Sequence, residues 1–389
     1  MATVFLLIIY LSFISLGLPD SILGAAWPVM RPEFNAPLSA AGFLSMTVSA
    51  STIVSSLNSG RLLRRFGTGM VAFLSTLLTA FALLGFSFSG SLIFLFLLSI
   101  PLGLGAGAID AGLNNYVALH YQARHMNWLH CFWGIGATAG PMILSLQLSH
   151  GASWRSAYGL ISGIQFALAL ALFLTLSVWR RAKAPAAESG EEQRYLTNRE
   201  ALRLPLVKTA LVGFVFFCAV ETTSGLWAST YLHQARGLSA SEAAMGASMF
   251  YGAITAGRLI TGFAASRISP ARLIRIGQCV CLAGAAMVAL PAPSAVGMLG
   301  IAVIGLGTSP IYPNMLHETP RRFGARNSQA IVGLEMAFAY IGSTLIPPLF
   351  GSLASATTLH LYPWFLAACT LVMLAASETV ARRTRDRAV

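Results

Sequence analysis

The sequence predicts an all-α integral membrane protein with twelve transmembrane helices in two pseudo-symmetric six-helix bundles. Three observations carry this. Hydrophobic residues make up 56% of the 389 residues and charged ones only 10%, where a soluble domain carries about 25% charged residues. Mean hydropathy is +0.70. A helix needs roughly 20 mainly apolar residues to cross a hydrocarbon core about 30 Å thick, and such stretches account for nearly the whole chain. Finally, basic residues collect in every second loop between them.

The spans are placed at 3–30, 39–60, 68–89, 91–119, 126–149, 155–179, 206–233, 239–265, 270–291, 294–317, 327–354 and 359–380. The loop after span 2 holds Arg61, Arg64 and Arg65, and the loop after span 4 holds Arg124. Arg180, Arg181 and Lys183 follow span 6. Arg267, Arg272 and Arg275 follow span 8, and Arg321, Arg322 and Arg326 follow span 10. The tail holds Arg382, Arg383, Arg385 and Arg387. The alternate loops hold little beyond Arg31, Arg155 and Arg236. Cytoplasmic loops carry the excess of Lys and Arg, so both termini are expected in the cytoplasm. The net charge of +12 is therefore loop charge and not the contiguous basic face that nucleic acid requires.

Residues 181–204 are rich in charge, Ala and Gly. They read as a cytoplasmic linker between an N-terminal unit, 1–180, and a C-terminal unit, 205–389. The five cysteines sit in apolar stretches without metal-ligand spacing. The N-terminus opens apolar with no basic flank, so residues 2–30 read as a retained span and not a cleaved leader.

The halves read as repeats. Gly103-Leu104-Gly105 recurs at Gly305-Leu306-Gly307, and Gly60 at the end of span 2 corresponds to Gly262 at the end of span 8. Asp20 and Glu221 fall at nearly the same spacing. Parallel repeats with the solute site between them near the midplane are a known transporter design.

Four acids lie within spans: Asp20, Asp110, Glu221 and Glu335. A charge at mid-bilayer costs at least ~2.5–3.5 kcal/mol on insertion scales, so each must face a cavity, find a partner or hold its proton. Groups that can hold and release a proton between two faces of a bilayer are what proton-coupled transport needs. Asp20 follows Gly17 and Pro19, which weaken the helix locally and free backbone groups. Asp110 and Asn114 are one turn apart, and Asn115 extends the polar face. Glu221 adjoins Thr222, Thr223 and Ser224. Trp227 is either a stacking surface for a solute or part of an interfacial aromatic belt. Glu335 is expected to pair with Arg258, which is placed near the cytoplasmic end of span 8 as a gate residue. His130 titrates near neutrality when unperturbed and is either a lining residue or a structural one. No metal, nucleotide or hydrolase motif appears in a workable context, so neither an enzyme nor a bound cofactor is expected.

With these residues in view, the chain resembles the major facilitator superfamily over essentially its whole length. Gly60-Arg61-Leu62-Leu63-Arg64-Arg65-Phe66-Gly67 is similar to the superfamily's Gly-x-x-x-Asp-Arg-x-Gly motif, with Arg64 where the family usually has Asp. That match implies gate roles for Arg61 and Arg65. Within the superfamily the closest resemblance is to the fucose–proton symporter group and related sugar porters, through the acids on spans 1 and 4 and through Pro310-Ile311-Tyr312-Pro313-Asn314 on span 10. Trp133 stands where the fucose symporter has Asn on span 5. The resemblance implies proton or sugar-binding roles for Asp20 and Asp110.

The expectation is thus a monomeric carrier of the bacterial inner membrane. It imports a small polar solute, a sugar or related polyol, by symport with H+; Na+ is the alternative ion. Asn114, Asn115, His130, Trp133, Trp227, Tyr312 and Asn314 are the candidate solute contacts. The alternative function is proton-driven efflux of drugs or metabolites. Beyond the solute, the lipid bilayer is the only partner expected.

Overall fold

The computed structural model describes residues 2–120, 123–181, 198–265 and 267–385. It contains α1 (Ala2–Glu33), α2 (Ala40–Phe66), α3 (Thr68–Phe88), α4 (Leu92–His120), α5 (Ala123–Ser149) and α6 (Trp154–Leu174) in the first half. The second half has α7 (Val207–Gln234), α8 (Ala240–Ala264), α9 (Pro270–Ala289), α10a (Ser294–Thr308), α10b (Ile311–Phe323), α11 (Ala325–Ala356) and α12 (Tyr362–Arg385). Short helices at Leu176–Arg181 and Asn198–Ala201 flank the junction. Most of the expected linker, 182–197, lies outside the described residues.

Among the described residues, eleven spans are long and apolar enough to cross a bilayer, counting α10a and α10b as one. The twelfth, α8, has 25 residues. It is diluted by Gly and Ser and carries Glu242 and Arg258, the composition of a helix that faces protein and water more than lipid. A capping box starts it: Ser239 Oγ accepts from the Glu242 amide at 3.2 Å, and the Glu242 carboxylate accepts from the Ser239 amide at 2.9 Å.

The halves pack alike. In the first, α1 lies on α5, α2 on α4, and α3 on α4 and α6. In the second, α7 lies on α11, α8 on α10a, and α9 on α10a and α12. The glycine repeat read from the sequence explains how. A Cβ on Gly103 would stand 2.2 Å from the Val48 carbonyl oxygen, and one on Gly305 would stand 2.3 Å from that of Phe250. One on Gly105 would meet the Ser75 carbonyl, and one on Gly307 that of Gly277, at 2.7 Å each. In each case glycine and partner shift together by one repeat length, so the same backbone approach of α4 to α2 and α3 is rebuilt by α10a against α8 and α9.

Several element ends differ from the expected ones. The α2 helix continues to Phe66 and stops at Gly67, whose φ of 78° suits glycine alone. Arg61, Arg64 and Arg65 therefore ride on the last turns of a helix and not in a loop. The α1 helix is unbroken despite Pro19. Pro19 has no N–H for the Ser15 carbonyl, and that carbonyl instead accepts from Gln165 Nε2 of α6 at 2.6 Å. Span 10 is two helices. Pro310 cannot bond the Leu306 carbonyl, which accepts from Ser309 Oγ at 2.7 Å.

Candidate functional site

Among the described residues α1 packs on α7 and, less extensively, on α8, α2 on α11, and α5 on α8, and these pairs join the halves. The chain alternates direction, so α1 begins and α12 ends on one side, here called the terminus side. On the opposite, far side the halves are sealed. Ser229 Oγ donates to the Ala25 carbonyl at 3.0 Å, the Ser39 amide to Ser355 Oγ at 3.1 Å, and Ser241 Oγ to the Ser145 carbonyl at 2.9 Å. Ser248 Oγ reaches the Thr138 carbonyl at 2.8 Å. A Cβ on Gly42 would stand 2.5 Å from Pro348 Cα.

Burial along the interface helices fades toward the terminus side. The buried residues of α2 cluster at Ala40, Ala41, Gly42 and Leu44, with only Ser55 beyond. Those of α8 end at Gly257. Leu57 is 81% exposed. The halves thus part toward the terminus side, and an opening between them closes at the far end.

A line of side chains crosses this opening. Asp20 of α1 is exposed although its helix neighbours are buried. It accepts from Trp133 Nε1 of α5 at 2.9 Å. The Arg258 guanidinium of α8 lies 5.5 Å from the Trp133 ring centroid, a cation–π contact. Arg258 Nη2 stands 3.4 Å from Glu221 Oε1 of α7. Tyr251, two turns before Arg258 on the same face of α8, meets Trp133 edge-on at 6.4 Å. Four helices from both halves therefore meet through Asp20, Trp133, Arg258 and Glu221. Asp110 sits in electrostatic reach of Asp20 and accepts from Asn114 Nδ2 at 2.9 Å. The Tyr340 side chain of α11 lies near Ser56 of α2, and Ser56 Oγ donates to the Gly107 carbonyl at 3.1 Å.

The other expected residues fall in different places. His130 is exposed and edge-on to Phe13 at 6.0 Å, within electrostatic reach of Arg258. The Asn115 side chain lies outside the described residues. Trp227 does not face the opening. It is fully buried, donates to the Pro347 carbonyl at 3.0 Å and packs on Phe350, as part of the far-side seal. Tyr312 packs between Phe214 and Phe217 within the second half, at 5.7 and 5.5 Å. Asn314 donates to the Pro310 carbonyl at 2.6 Å, serving the break in its own span.

Glu335 does not pair with Arg258, whose carboxylate partner is Glu221. Glu335 is 1% exposed, and both its oxygens contact Thr319 Oγ1, at 2.8 and 2.9 Å. It lines a small recess with Arg322 and Ser377, and Arg322 bonds Glu318 at 3.3 Å. Arg61 and Arg65 make no ion pair among the described residues; Arg65 lies against Phe66. No group of His, Cys, Asp and Glu suited to a metal occurs among the described residues.

Sequence reasoning missed Tyr251 and Gln165. Gln165 had a signal, an amide alone in the apolar run of α6. Tyr251 had none, because one aromatic residue in a span is indistinguishable from packing.

Two six-helix bundles around a polar opening shut at one end define a membrane carrier. The chain belongs to the Major Facilitator Superfamily, whose family model matches residues 9–347 and again 210–387. It is 24% identical over 354 residues to an uncharacterized transporter, y4wD, of Sinorhizobium fredii (strain NBRC 101917 / NGR234), covering 88% of this chain and 90% of that protein. Among solved structures it is similar to a bacterial homologue of the human lysosomal transporter Spinster in an inward-facing, unoccupied conformation. That match has a TM-score of 0.80, 14% identity, and coverage of 98% of this chain and 96% of the other. It is also similar to a point mutant of the nucleoside transporter NupG, with a TM-score of 0.78, 14% identity, and coverage of 96% of this chain and 98% of the other.

Proposed function

We propose that this chain is a proton-coupled symporter that imports a small polar, sugar-like solute by alternating access. The observation that carries the reading is the line Asp20–Trp133–Arg258–Glu221, which joins both halves inside an opening sealed at one end only. Carboxyls facing such an opening, and not lipid, are where a proton can be taken up on one side and released on the other. Asp20, Asp110 and Glu221 are the coupling groups at the opening, with Glu335 a further proton-holding carboxyl in the second half. Asn114, His130 and Trp133 contact the solute beside them. Arg61 and Arg65, without an ion pair among the described residues while the terminus side is open, are gate residues that find partners when it shuts.

In this reading the units 1–180 and 205–389 rock about the solute, joined by the 181–204 tether. The terminus side faces the cytoplasm of a bacterial inner membrane, following the loop charges. The carrier works as a monomer, with H+ as the coupling ion and no cofactor. In this reading the acids on spans 1 and 4 are the features it shares with the fucose–proton symporter group of sugar porters. Uptake of labelled solutes into proteoliposomes under an imposed pH gradient tests this. Accumulation that collapses with a protonophore supports it. Accumulation indifferent to the pH gradient but driven by Na+ would replace the ion, and none under either gradient would overturn the reading.

A further inference from the structure

We infer that the solute carries a carboxylate, that this carboxylate takes Arg258 from Glu221, and that Glu221 then binds the proton that accompanies the solute. The inference rests on the transport reading above and specifies its solute.

The geometry of Arg258 points to it. Nε and Nη2 form one edge of the planar guanidinium, the edge that holds a carboxylate through two parallel hydrogen bonds. Glu221 uses half of that edge. One oxygen stands 3.4 Å from Nη2, and Nε is buried with no partner. A buried donor left unpaired is a standing cost, and it sits here on the guanidinium at the centre of the opening. The Trp133 ring centroid lies 5.5 Å from the same group, which occupies one side of it and leaves the Nε–Nη2 edge as the place where an anion is received. Because Nε is closed off in this state, filling the edge requires the Arg258 side chain to turn away from Glu221.

Charge balance then sets the coupling. Within electrostatic reach of Glu221 are Arg258 and Tyr251 of α8, Cys218 of its own helix, Cys281 of α9 and Tyr312 of α10b. Arg258 alone of these is a cation. Once the solute carboxylate holds Arg258, the Glu221 carboxylate has no counter-charge in a low-dielectric site, and it takes a proton from the water on the side from which the solute came. One anion and one proton enter together, and release on the other side restores the Glu221–Arg258 pair. A neutral solute would leave the pair intact. Asp20, exposed beside Trp133, and Asp110 accept hydrogen bonds from hydroxyls on the rest of the solute, so the class is a hydroxylated monocarboxylate, a sugar acid or hydroxy acid.

The test is binding to the full-length purified protein, followed by thermal shift and calorimetry. The probes are matched sets: gluconate, glucuronate and lactate, each beside its neutral alcohol or amide and its amine analogue. The inference expects hits among the carboxylates only, weakened at least about thirtyfold in Arg258→Gln. Glu221→Gln removes the competitor and keeps Arg258; it should bind the same carboxylates roughly tenfold or more tightly, with the proton uptake measured on binding lost. Because Glu221→Gln is expected to gain affinity, a folding defect cannot imitate its result. Hits confined to neutral or amine probes, no hit at all, or carboxylate binding unchanged in both variants would overturn the inference. Proteoliposome flux separates the two levels: a neutral probe that accumulates with the pH gradient keeps the transport reading and removes this one, whereas no coupled flux of any probe removes both.

Discussion

Arg258 of α8 and Trp133 of α5 touch across the boundary between the two halves, guanidinium over indole at 5.5 Å. Each also holds a carboxylate of a third or fourth helix: Arg258 contacts Glu221 and Trp133 donates to Asp20. A movement of one half against the other must change this contact, so acids on both sides sense the state of the carrier through one pair of residues.

Trp133 can be tested without removing its bulk. Trp133→Phe keeps an aromatic face for Arg258 and deletes the donor to Asp20. A hydrogen bond to a charged group contributes about 1.5–3 kcal/mol, so coupled uptake should fall by roughly tenfold or more while the melting temperature changes little. Uptake assays beside thermal unfolding check this. Equal loss of stability and transport would make the contact structural.

The N-half acids should separate coupling from binding. Asp20→Asn and Asp110→Asn keep the shape of the site and cannot exchange a proton. Each is expected to lower accumulation against a gradient, leaving the part coupled through Glu221, while exchange of solute for solute continues. Counterflow and pH-driven uptake in the same vesicles distinguish these; unchanged accumulation in both variants would remove these carboxyls from coupling.

The glycine repeat makes a symmetric stability prediction. Gly103→Ala and Gly305→Ala each press a methyl into a backbone carbonyl, Val48 in one half and Phe250 in the other. Overpacking of this kind costs about 1–3 kcal/mol. Thermal unfolding in detergent should show two similar losses, and none for Gly163→Ala or Gly333→Ala, whose added Cβ meets nothing within 4 Å.

Thr319→Val leaves the buried Glu335 without its hydroxyl partner. The expected loss is about 1–3 kcal/mol of stability, and Thr319→Ser should restore most of it. Full stability in the valine variant would mean that Arg322 or water serves Glu335 equally well.

Much of this architecture was legible because membrane constraints act on composition. Span number, loop charge and the duplicated Gly-Leu-Gly follow from backbone satisfaction and close helix approach, and both act locally. Partner choice was not legible. Arg258 has Glu221 within reach because α7 and α8 pack side by side; spacing along the chain gives no hint of it, and Glu335 looked equally available. Trp227 and Trp133 are alike in sequence context. One is buried in the far-side seal and the other spans the opening, a difference set by rotation of each helix about its axis. The unbroken α1 was hidden for a similar reason, since the amide that rescues the carbonyl freed by Pro19 comes from Gln165, on α6.

The central claim is that protonation of acids in the opening biases which side of the carrier is shut. Spin labels at His150→Cys just past the end of α5 and Thr357→Cys just past the end of α11, in a cysteine-free background, place a distance across the far-side seal. Pulsed dipolar spectroscopy in nanodiscs should show a short distance for the closed far side and a second, longer one. Their ratio should change between pH 5 and pH 8 and stop changing in the Asp20→Asn/Asp110→Asn/Glu221→Gln variant. A single distance at both pH values, or a pH response that survives loss of all three carboxyls, would contradict the account.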